Sequence, residues 1–167
     1  MGLLSMAQSL NFGKYSPAAG VDAGFQAYLK QLYTSAEDPA ATSAFTNFFV
    51  PSGKLIVLDN VATGATQILA LKQKLLPKAG NKHWNHRPNT VTVDSETSTQ
   101  KVFKVLGSIE TTYDGGKCSK ATYETRFTIQ KNAAGKLVFN AHSGNLVKYD
   151  DYSVVPPTSP TNIACDP

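Results

Sequence analysis

An α+β fold is predicted by two features of the chain. Helix-like stretches come first and strand-like stretches afterwards, and the hydrophobic period changes between them. Ile68, Leu69, Leu71, Leu75 and Leu76 recur at helical spacing, whereas Val91 and Val93 alternate with Thr and Asp, so the period falls from about 3.6 to about 2 near residues 77–80. In that order of elements, helices cover one face of a long, curved antiparallel sheet.

The first helix is carried by Phe25, Tyr28, Leu29, Leu32 and Tyr33, which share one helical stripe. Ser35 to Asp38 ends it ahead of Pro39. Ala40, Ala41, Ala44, Phe45, Phe48 and Phe49 predict a second, shorter helix over 39–49, with Pro39 suited to its first turn. Pro51-Ser52-Gly53 reads as a turn and 54–59 as a short buried strand, with a brief hairpin partner over 60–64. A third helix follows over 65–76 and closes at Pro77 and Gly80. Strands are then predicted over 83–95, 99–113, 118–131 and 136–149. Asp94 to Thr99, Tyr113 to Gly116 and Asn132 to Lys136 supply the hairpin connections of an antiparallel meander. The chain divides into a flexible leader over 1–20, one domain over 21–150 and a Pro-rich, irregular tail over 151–167.

Composition narrows the class of function. Hydrophobic residues make up 41% and charged residues 17%, the latter below the quarter that is usual, so the domain is ordered and its surface rich in hydroxyls. The net charge of +4 is spread singly along the chain, without the clustering that nucleic-acid binding requires. No stretch reaches the length of a membrane span. Cys118 follows a Gly-Gly turn and Cys165 lies in the tail, two positions where a chain is usually exposed. A disulfide between them in an oxidising compartment is the expectation, with two unpaired thiols as the alternative. It implies a secreted chain whose signal peptide is absent here; a cytoplasmic protein is the alternative.

The element order, together with the segments GKLIVLDN, ATG, LKQKLLP and KHWNH, resembles the NTF2-like superfamily, which includes SnoaL-like polyketide cyclases, scytalone dehydratase and ketosteroid isomerase. The resemblance spans about 21–150. It implies a cone in which the curved sheet wraps around three N-terminal helices, with a mainly apolar pocket between them and a few polar anchors. His83 matches the position after the third helix where many such proteins have a pocket histidine. On a strand His83, Asn85 and Arg87 share one face, and Trp84 and His86 the other. His83 is therefore the first candidate acid or base, with Asn85 and Trp84 as candidate ligand contacts.

Asp59, at the end of the first strand, is a candidate carboxylate base and equally an ordinary turn opening. His142 and Asn140 interrupt an apolar closing strand and need buried partners or a ligand. Tyr28 and Tyr33 lie on the apolar stripe of the first helix, where each hydroxyl contacts either the ligand or a core partner. A buried histidine bonded to backbone is the structural alternative for His83. No local motif calls for a metal or a cofactor, and hydrolase, zincin, dinucleotide and nucleoside-triphosphate signatures are absent. The leading expectation is a secreted protein that binds a small apolar or oxygenated ligand. Its rival is a cofactor-independent isomerase, cyclase or dehydratase with a pocket histidine as acid or base, and a homodimer is compatible with either.

Overall fold

The computed structural model describes residues 14–78, 82–113, 117–140, 142–155 and 163–164; for 117, 152–155 and 163–164 only the backbone is described. Among these residues eleven elements follow in order: β1 (Ser16–Pro17), α1 (Phe25–Glu37), α2 (Ser43–Thr46), β2 (Phe49–Val57), β3 (Asn60–Thr63), α3 (Gly64–Leu75), β4 (Lys82–Glu96), β5 (Gln100–Tyr113), β6 (Lys117–Gln130), β7 (Leu146–Val155) and β8 (Ile163–Ala164). The strands form one sheet in the order β1-β4-β5-β6-β7-β2-β3, with β8 beside β6. β4 to β7 are antiparallel neighbours, as the hairpin signals predicted. Two parallel pairings, β1 with β4 and β2 with β7, make the sheet mixed at its margins.

α1 is the interior of the cone. Phe25, Tyr28, Leu29, Leu32 and Tyr33 are all fully buried on one stripe. They meet the inner residues of the sheet, Phe103 and Val105 on β5 and Phe127 and Ile129 on β6. The rings of Phe25 and Phe103 stack with centroids 4.2 Å apart. Each such side chain contributes about 1.5–3 kcal/mol by leaving water, so the stripe outweighs the weak intrinsic helicity of a short segment.

Three elements differ from the sequence expectation. The second helix is a single turn, because the chain enters the sheet at Phe49. Phe48 accepts a hydrogen bond from the backbone of Leu146, and Phe45 packs edge-on to Phe49 and Tyr149. A ladder partner overrides the helical spacing of these aromatics. Pro51-Ser52-Gly53 is not a free turn but a bulge inside β2, where the pairing with β7 slips between Phe49 and Lys54. A Cβ at Gly53 would lie 2.9 Å from both Phe49 and the carbonyl of Val50, so only glycine fits the fold-back.

The fourth long strand is also displaced. It was expected over 136–149 and runs instead from Leu146 to Val155, beyond the domain end placed at residue 150. Gly135, His142 and Gly144 all have positive φ, a conformation that no regular strand accommodates. Between them Phe139 packs against Phe25 and Tyr28 at the start of α1.

Candidate functional site

The inner face of the sheet is set by alternation on β4. His86 is buried, Trp84 partly buried beside it, and His83 exposed. The pocket role expected for His83 therefore falls to His86, on the opposite face of the same strand. Asn85 and Arg87 share the His83 side, where Arg87 Nη2 lies 3.4 Å from Glu110 Oε1.

His86 is held by Glu37, the last residue of α1. Its Nδ1 lies 2.9 Å from Glu37 Oε2, which also accepts the backbone N–H of His86. Both side chains are almost completely enclosed. A carboxylate in such a place needs donors, and the two bonds from one residue supply them. With Glu37 acting as acceptor, Nδ1 carries the proton and Nε2 is left as the basic nitrogen. Nε2 bonds no described residue.

Phenols surround this ring. Tyr33 of α1 stacks on His86 with centroids 4.2 Å apart and planes at 12°. Its hydroxyl donates to Tyr123 on β6 over 3.1 Å, and the Tyr123 ring stands edge-on to His86 at 5.8 Å. Tyr123 reaches over β5 because its cross-strand partner is Gly107. A Cβ at Gly107 would meet the Tyr123 hydroxyl at 2.7 Å and the Arg87 carbonyl at 2.6 Å. Burial holds the hydroxyls of Tyr33, Tyr123 and Tyr149 well above the ordinary phenol pKa, so all three stay neutral donors.

A second carboxyl completes the cluster. Asp151 on β7 accepts from Thr125 Oγ1 at 2.7 Å. Burial raises its pKa to about 6, helped by the charge of Asp150 and opposed by the Thr125 hydrogen bond and by His86. Two carboxyls, an imidazole and three phenols thus converge from α1, β4, β6 and β7.

The remaining candidates lie elsewhere. Tyr28 is buried and donates to Asn145 Oδ1 at 3.2 Å, while Asn145 Nδ2 donates to the carbonyl of Val138; its partner is structural. Asp59 is exposed in the turn between β2 and β3. Asn140 and His142 are exposed because the segment that carries them is not a strand. His142 faces Phe48 at 5.0 Å and joins Thr46, Asn47 and Pro51 around a shallow cleft of about 250 Å³. Cys118, expected at the surface, is fully buried, and Cys165 lies outside the described residues. Among the described residues no cluster of His, Cys, Asp or Glu could hold a metal ion, and no helix is long and apolar enough to cross a membrane.

Reading the sequence missed Glu37, Tyr123 and Asp151, and did not join Tyr33 and His86 to them. The His83/His86 face assignment was available; which face is concave was not. Glu37, one helical turn beyond Tyr33 and next to the apolar stripe, was the signal that could have found the dyad.

No protein-family model and no curated protein sequence matches the chain. Solved structures do. A type 2 hexachlorocyclohexane dehydrochlorinase (LinA) superposes with a TM-score of 0.63 at 10% identity, covering 86% of this chain and 93% of that one. ActVI-ORFA from Streptomyces coelicolor gives 0.58 at 13% identity over 80% and 97%. Aln2 from another Streptomyces species gives 0.58 at 16% over 78% and 90%. Identities this low speak for architecture and leave the reaction to the residues. With the helices inside a curved sheet and this set of neighbours, the chain has the NTF2-like cone fold.

Proposed function

We propose that the protein is a small-molecule enzyme that moves protons without a cofactor, with His86 as general base. The observation that carries this reading is the His86–Glu37 pair, in which Nδ1 is committed to a buried carboxylate and Nε2 is left unbonded among phenols. A carboxylate behind an imidazole fixes its tautomer and stabilises the imidazolium that forms when Nε2 takes a proton. Tyr123, whose hydroxyl accepts from Tyr33 and keeps its own proton, would be the neutral donor to an oxygen of the same ligand. The fold neighbour named as a dehydrochlorinase supports this class, since loss of hydrogen chloride also begins at a C–H bond. The ligand would be small, apolar and oxygenated.

The test is hydrogen–deuterium exchange at the carbon beside the carbonyl of small cyclic ketones in D2O, followed by NMR. Wild type should exceed the buffer rate, and His86→Ala should lose about 100-fold or more of that excess, with Glu37→Gln falling in the same direction. A ketone that binds without exchanging would instead support the ligand-carrier role.

Secretion and a Cys118–Cys165 bridge are proposed alongside. They are supported by Cys118, which is not a free thiol, and by β8, which pairs Ile163 with Cys118 and so brings the tail within two residues of Cys165.

A further inference from the structure

Asp151 enters the cluster through an irregularity in the sheet. β6 and β7 pair as Arg126 with Asp150 and Glu124 with Ser153, so Thr125 alone faces two residues of β7, Asp151 and Tyr152. A bulge of this kind bends its strand and re-aims the side chain it carries. Thr125 is buried on the inner face with Tyr123 and Phe127. Its bond to Oδ1 therefore draws the carboxyl of Asp151 to that face. Oδ2 bonds no described residue.

The groups facing Asp151 come from every neighbouring element. They are Tyr33 of α1, His86 of β4, Tyr123 and Thr125 of β6, and Tyr149 and Asp150 of β7. β2 brings only Val57 to the same level. Two acid–base groups thereby share one cluster, with the Tyr123 ring 5.8 Å from His86 and the charge of His86 felt at Asp151.

Building on the base role of His86, we propose that Asp151 is the proton donor to a departing oxygen, and that the substrate is a β-hydroxy carbonyl compound that loses water. In this step His86 Nε2 takes the proton beside the carbonyl, and the C–H electron pair becomes the C=C bond. The C–O bond breaks, and its oxygen takes the Asp151 proton and leaves as water. Imidazolium and carboxylate then return to their starting forms by proton exchange with solvent, and nothing is oxidised or reduced. The leaving group follows from the presence of the acid. Chloride departs as an anion unaided, whereas hydroxide is too basic to leave without a proton, and a carboxyl that holds its proton to about pH 6 can supply one.

A matched pair of probes tests this: a benzylic β-hydroxy ketone and its β-chloro analogue, which give the same enone and are followed by its ultraviolet absorption. Asp151→Asn should lower the ratio of hydroxy to chloro kcat/KM by about 100-fold. For the hydroxy ketone, wild-type activity should fall as pH rises through about 6, and that limb should vanish in Asp151→Asn. Thr125→Val, which removes a bond that holds the Asp151 pKa down, should move the limb to higher pH. An unchanged ratio in Asp151→Asn, or a limb that Thr125→Val leaves in place, would overturn the acid role. If His86→Ala spares both probes, the base reading fails separately. Wild type that turns over neither probe overturns both.

Discussion

Leu58 shows how one residue departs from its own preference to close the edge of the sheet. It sits with φ of 54° in the loop between Val57 and Asn60, which pair across the β2–β3 hairpin. Asp59, the other central residue, is not in the positive-φ region, so the loop has the form that normally takes glycine first. A bulky residue there costs about 1–2 kcal/mol, and with 39% of its surface exposed its burial offsets only part of the strain. Leu58→Gly should therefore stabilise the fold by about 1 kcal/mol after the added chain entropy of glycine is counted. Urea denaturation checks it, and a lower midpoint would refute the strain argument. The same scale explains what the sequence did and did not disclose about the site. Period-two alternation separated His83 from His86, because side-chain direction on a strand is a local property. Which of the two faces is concave depends on α1, whose Tyr33 stacks on His86, and that contact joins residues far apart in the chain.

At the scale of elements, α1, α3 and the three strands β4 to β6 were legible because each carries its own period and its own turn signals. β2 was legible only over 54–57 and β7 only over 146–149, since their pairing is parallel and joins distant segments. Phe48 and Phe49 read as helix until the backbone of Leu146 is brought to them, and residues 136–140 read as strand until the positive φ values at 142 and 144 are known. β8 belongs to the same class of long-range pairings. It lies against the start of β6, where Cys118 is opposite Ile163. A bridge from Cys118 to Cys165 would tie this short strand down and stabilise the fold by about 2–4 kcal/mol. Intact mass before and after reduction should show the loss of two hydrogens in the native protein, and Cys165→Ser should lower the melting temperature. Free thiols in protein made in an oxidising compartment would sink the proposed bridge.

For the molecule as a whole, the cone concentrates ionisable groups where their charge is costly, and stability should record this as a dependence on pH. Folding raises the Asp151 pKa from its ordinary value of 3.8 to about 6, chiefly through burial. The folded state therefore binds this proton more tightly than the unfolded chain does. Its contribution to stability is fully present below about pH 4 and is lost as pH rises through about 6, at a cost on the order of 2–3 kcal/mol. Asp151→Asn, which keeps the shape and cannot ionise, removes this dependence. The stability of wild type minus that of Asp151→Asn, measured by urea unfolding across pH 4 to 8, should fall through the window between about 4 and 6 and level off above it. The charge of His86 opposes the shift, so in a His86→Ala background the decline should extend to higher pH. A difference that stays flat through the window would mean that Asp151 keeps an ordinary carboxylate pKa in the fold. The cluster would then hold no proton to give near neutral pH, and the chemistry would rest on His86 and Glu37 alone.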